Sequence, residues 1–77
     1  MSDTVSRISE IVADILGLEP EHLDAASGVD VTDGWDSIQH LTIMMDVEAE
    51  FGIRFSPGQL ADAQTLGAIA GLIDGLV

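Results

Sequence analysis

Apolar residues recur at helical spacing in three stretches of this chain, and no run of β-branched residues alternates with polar ones. That pattern confines the chain to an all-α fold. In the first stretch Val5, Ile8, Ile11, Val12, Ile15 and Leu16 share one stripe, while Arg7, Glu10 and Asp14 lie off it. The spacing predicts a helix over 4–16, closed by Gly17, a residue that tolerates the left-handed conformation at a helix end. A second helix is expected from Ser37 to Phe51, with Asp36 as its N-cap, Gln39 placed as in a capping box, and Gly52 as its stop. Ser56-Pro57-Gly58-Gln59 reads as a third start that yields only a short turn around Leu60. Thr65 caps a last helix in which Leu66, Ile69, Ala70, Ile73 and Leu76 face inward. The expected fold is a small four-helix bundle, three main helices and one short one, forming a single domain over 1–77.

The connection between the first two helices, Leu18 to Trp35, is long for a compact domain and must be pinned to the core or serve a function. Leu18, Leu23, Val29 and Val31 are the expected pins. With 77 residues and no cysteine, the chain has a modest core and can build neither a disulfide framework nor a thiolate metal site nor a thiol nucleophile. His22 and His40 are too far apart in sequence to suggest a histidine metal site. Fourteen acidic residues against Arg7 and Arg54 give a net charge of −12. Such a surface repels phosphate backbones and anionic lipid headgroups, so neither nucleic acid nor membrane is an expected partner. It attracts and steers proteins with basic patches. Apolar runs are short and the first residues carry no basic, apolar leader, so a cytoplasmic, monomeric protein is expected.

Placed at about 100° per residue, the second helix has two apolar faces. Ile43, Met44, Val47 and Phe51 form the core seam, and Ile38, Leu41 and Met45 form a second stripe, with Gln39, Thr42, Asp46 and Glu50 between. A bundle this small seldom buries both, and an apolar stripe ringed by acids suits a docking helix. Ser37, directly after the cap, is expected to stand exposed near free backbone amides and the positive end of the helix dipole, where a phosphate ester is favoured. Hydrolysis is not expected of it. His40 falls toward the core side, and a chain this size offers no sheltered cleft for a base and an oxyanion hole. A calcium loop around Asp30-Val31-Thr32-Asp33-Gly34 fails on register: with Gly34 at its sixth position, Val29, Val31 and His40 would occupy ligand positions.

Asp36-Ser37-Ile38 at a helix start resembles the Asp-Ser-Leu motif of the acyl carrier protein family. Glu48-Ala49-Glu50-Phe51-Gly52-Ile53 is similar to the family's acidic close of the same helix, and Ile15-Leu16-Gly17-Leu18 to its close of the first. The resemblance implies that Ser37, flanked by Asp36 and Ile38, carries 4′-phosphopantetheine installed from coenzyme A by a phosphopantetheinyl transferase. The arm's thiol would hold acyl groups as thioesters, which a cysteine-free chain could not do alone. Catalysis would belong to acyl-transferring or synthase partners with basic patches, met through Ile38, Leu41 and Met45. Trp35 would either contact partner and arm or plug the loop. Gln39 and Thr42 stand where carriers of fatty-acid synthesis usually have acids, and Asp33 where a leucine is common. Gly34-Trp35-Asp36-Ser37 with His40 looks more like free-standing carriers of polyketide-type or specialised pathways. The residues alone also fit an unmodified acidic adaptor that binds a partner through the second helix.

One consequence follows from charge alone. Twelve excess negative charges repel at distances comparable to the ~8 Å screening length of physiological salt. The melting temperature is expected to rise with added sodium chloride. A melting curve indifferent to salt would show that repulsion does not limit stability.

Overall fold

Gly17 and Gly52 end the two long helices in the same way. In the computed structural model, which describes residues 3–76, both adopt left-handed backbone, φ 70° and 66°. Beyond each, an amide reaches back to the last full turn: Leu18 N–H donates to the Ala13 carbonyl (2.9 Å) and Ile53 N–H to that of Glu48 (3.1 Å). This is the glycine-terminated closure expected of each sequence. The helices so bounded are α1 (Asp3–Leu16), α2 (Ser37–Phe51), the short α3 (Pro57–Asp62) and α4 (Leu66–Leu76). The all-α four-helix architecture is as the spacing predicts.

The caps also fall where the sequence puts them. Ser56 and Gln59 form a complete capping box at α3, Gln59 N–H donating to Ser56 Oγ (3.2 Å) and Ser56 N–H to Gln59 Oε1 (2.8 Å). Thr65 Oγ1 accepts from Ala68 N–H (3.1 Å) at α4. Helix α1 packs on both α2 and α4. Ile8 and Val12 meet Ile43, Met44 and Val47 of α2 and Leu66, Ile69 and Ile73 of α4 in one core, all fully buried. The Thr4 hydroxyl reaches Asp74 (2.7 Å) at the far end of the α1–α4 pair.

The long connection is ordered by backbone pairing. It contains a turn of 3-10 helix, Pro20–His22, which the spacing did not predict because a single turn has no period to detect. Further on, the chain crosses the entry to α4. Val29 N–H donates to the Gln64 carbonyl (2.9 Å), Leu66 N–H to that of Ser27 (2.8 Å), and Gly67 N–H to that of Ala25 (3.0 Å). Gly28 lies face to face with Thr65 in an isolated antiparallel bridge.

Leu23 is buried, and Leu18 and Val29 pack against the core as expected. Val31 is not a pin: it is 75% exposed, because its amide and that of Thr32 both turn back onto the Gly28 carbonyl and the side chain projects from that turn. Leu76 is likewise 47% exposed. It lies in the last turn, about 70° around the helix from the centre of the buried stripe.

A Cβ on Gly28 would sit 2.2 Å from the Gln64 carbonyl oxygen and 2.9 Å from Thr65 Cα, backbone that cannot yield without opening the pairing. Gly28→Ala is expected to cost about 1–3 kcal/mol, roughly 4–8 °C of melting temperature per kcal/mol in a domain of this size. Gly71→Ala, where a helical Cβ meets nothing within 4 Å, is expected to raise stability by up to about 1 kcal/mol. Thermal melts of the pair check both signs.

Candidate functional site

Asp36 is extended (φ −104°, ψ −175°), so the chain enters α2 at a sharp angle with its carboxylate over the first turn. That carboxylate accepts from Gln39 N–H (2.9 Å), and the Asp36 carbonyl accepts the first helical bond, from His40 N–H (2.8 Å). The return arm of a capping box, from the Gln39 side chain to the Asp36 amide, is not among the described bonds. Ser37 is the first helical residue and is exposed. Among the described residues its hydroxyl makes no hydrogen bond. The oxygen therefore stands in solvent at the positive end of a 15-residue helix, held in place entirely by its neighbours.

One of those neighbours is Trp35. Its ring is 1% exposed and folds under the first turn of α2, where Nε1–H donates to Nδ1 of His40 (2.9 Å, buried). The plug reading of Trp35 is the one the packing supports. As a partner or arm contact it is corrected, because a ring with no surface can touch neither while the fold stays closed. His40 is 7% exposed, on the core side as expected. Accepting from the indole assigns its own proton to Nε2, which is buried without a hydrogen-bond partner. Desolvation lowers the His40 pKa from its ordinary 6.5; the Ala63 and Leu60 carbonyls oppose the shift through their nearby negative ends, although neither meets Nε2 in hydrogen-bond geometry.

Along α2, His40, Ile43, Met44 and Val47 are buried, whereas Ile38, Leu41 and Met45 are 78%, 55% and 61% exposed. The helix thus has one face in the core and a second, apolar one in water, with Ser37 at the edge between them. The acids that close α2 are partly engaged within the molecule. Glu48 accepts from the Phe55 amide (2.7 Å), and Glu50 pairs with Arg7 of α1 (3.0 Å), whose guanidinium also lies over the Phe51 ring (4.2 Å). The spacing gave no hint of these bonds, nor of the Trp35–His40 pair, since each joins residues that only the folded loop or neighbouring helix brings together. No group of metal-ligating side chains occurs among the described residues.

The sequence model of the phosphopantetheine attachment site family matches residues 6–73. The chain is also 35% identical over 75 residues to the acyl carrier protein of Zymomonas mobilis, covering 96% of this chain and 95% of that one. The chain belongs to the acyl carrier protein family. An acyl carrier protein holds a 4′-phosphopantetheine arm covalently, and it delivers acyl groups without catalysing their chemistry. The exposed, unbonded hydroxyl at the start of α2 fits that group: it offers a nucleophilic oxygen and open space for an ester. The two arginines of the chain lie elsewhere, Arg7 on α1 and Arg54 beyond α2, so the covalent bond would hold the phosphate. No helix among the described residues is long and apolar enough to cross a membrane.

His40 makes stability depend on pH. Its folded pKa lies below its ordinary 6.5, so the unfolded chain binds the proton more readily. The stabilisation is complete above about pH 6.5 and is lost as pH falls through the lowered folded value. Stability is expected to decline from pH 7 toward about pH 5, above the range where carboxylates protonate and relieve repulsion. His40→Asn is expected to flatten that slope in urea titrations. An unchanged slope would assign the pH dependence to other groups.

Proposed function

We propose that Ser37 is the attachment residue and that the chain is a discrete acyl carrier protein, one carrier domain over 1–77. The observation that carries this reading is the Ser37 hydroxyl, exposed and unbonded at the first position of α2. In the modification, that oxygen bonds to the phosphorus of coenzyme A bearing the pantetheine. The pyrophosphate bridge breaks, adenosine 3′,5′-bisphosphate leaves, and the serine proton passes to a base on the transferase. Asp36 holds the helix start through its bond to Gln39 N–H, and Ile38 forms the apolar surface next to the new ester.

The loaded arm then presents acyl thioesters to synthase and acyl-transferring enzymes. Ile38, Leu41 and Met45 serve as the apolar contacts, and the surrounding negative charge steers basic partners. The Gly34-Trp35-Asp36-Ser37 start, with Gln39 and Thr42 in place of acids, favours a polyketide-type or other specialised pathway over fatty-acid synthesis. Such a carrier works as a monomer in the cytoplasm.

Incubation with coenzyme A and a broad-specificity phosphopantetheinyl transferase is expected to add one arm by intact mass. Ser37→Ala is expected to stay unmodified, and Met45→Asp to accept the arm while binding synthase partners at least tenfold more weakly, on the order of a hot-spot loss. Unmodified wild-type protein beside an active transferase, with partner binding that survives Ser37→Ala, would favour an unmodified adaptor.

A further inference from the structure

The nucleophilic oxygen is placed by groups that never touch it, and the buried Trp35–His40 pair is the least replaceable of them. Trp35 sits two residues before Ser37, and His40 sits three after it. Their 2.9 Å bond ties the incoming loop to the underside of the helix, with the serine in the span between. The loop is closed on itself behind the ring. Asp30 N–H donates to the Trp35 carbonyl (3.0 Å) and Trp35 N–H to that of Thr32 (3.0 Å), while the Thr32 hydroxyl accepts from Gly28 N–H (3.0 Å). Asp30 holds a left-handed backbone, φ 62°, a conformation that asparagine and aspartate tolerate better than most residues and that is kept only where its surroundings enforce it.

The rings contribute direction as well as burial. They lie 5.9 Å apart, tilted by 31°, so Nε1–H meets Nδ1 edge to edge instead of stacking. A buried indole N–H without an acceptor is costly. Rotation of the loop about the Asp36 backbone would strain that bond, the one hydrogen bond the indole makes among the described residues.

We propose that Trp35 and His40 are positioning residues for the modification of Ser37, their buried hydrogen bond fixing the angle at which the loop delivers the serine to α2. This rests on Ser37 being the attachment residue. Positioning and plain stability predict different kinetics. A variant that merely unfolds part of the population leaves kcat of the transferase unchanged and raises the apparent KM for the carrier in proportion. A misaimed hydroxyl lowers kcat while the docking stripe, and with it KM, stays intact.

The test uses the full chain, coenzyme A and a phosphopantetheinyl transferase, with kcat and KM measured for wild type, His40→Leu, His40→Asn and Trp35→Phe. His40→Leu and Trp35→Phe are expected to lower kcat on the order of tenfold with KM within about twofold. His40→Asn, whose side-chain oxygen can take the place of Nδ1 as acceptor, is expected to keep kcat within about twofold. Wild-type kcat in His40→Leu, or a loss appearing only in KM, overturns the proposal. Should the variants fail to fold, the wild type still decides. Trp35 is the only tryptophan, so its indole proton is a single NMR signal, expected to exchange as slowly as the core amides of α2. Fast exchange overturns the clamp. A wild type that is never modified removes the attachment reading itself, a separate outcome.

Discussion

The pairing of Gly28 with Thr65 is the constraint on which the site depends. A loop of this length has many ways to lie across a helical bundle, and only a surface that accepts its backbone bonds selects one. The entry to α4 provides that surface through Gln64, Leu66 and Gly67, which bond Val29, Ser27 and Ala25 of the loop, and the missing Cβ of Gly28 lets the two backbones close. With the loop fixed there, Leu23 and Trp35 fall into the core, and Trp35 in turn sets the start of α2. The exposed serine is the last link in a chain of contacts that begins on the opposite helix.

Sequence legibility followed the range of the forces involved. Helix ends were legible because caps and glycine stops act within a few residues, as Asp36, Ser56, Thr65, Gly17 and Gly52 show. The two faces of α2 were legible because helical angle alone separates Met44 from Met45. What escaped was set by distant partners. Val31 looked like a pin because it is apolar, yet its turn onto the Gly28 carbonyl points it outward. Leu76 matched the inward spacing but stands at the flank and end of its stripe. Trp35 offered two roles in sequence, and the position of His40 beneath it chose between them.

The acids divide into kinds that composition cannot distinguish. Asp36 and Glu48 are bonded to backbone amides, and Glu50 to Arg7. That last pair is half exposed on both sides and worth little on its own, though the aromatic face of Phe51 beneath the guanidinium adds to it. Charge on this molecule thus does two jobs: a few carboxylates close turns and helix ends, and the remainder set the field that an approaching protein meets.

The stripe on α2 has a geometric implication. Ser37 and Met45 lie on one rigid helix, eight residues apart in sequence, which is roughly 12 Å along the axis and about 80° around it. Were the arm carried on Ser37 and a partner seated on Met45, the root of the tether would be held at a set offset from the grip. Helix α2 would then act as a ruler, setting one distance and one angle between tether root and grip for every enzyme that docks in this way, whatever its own fold.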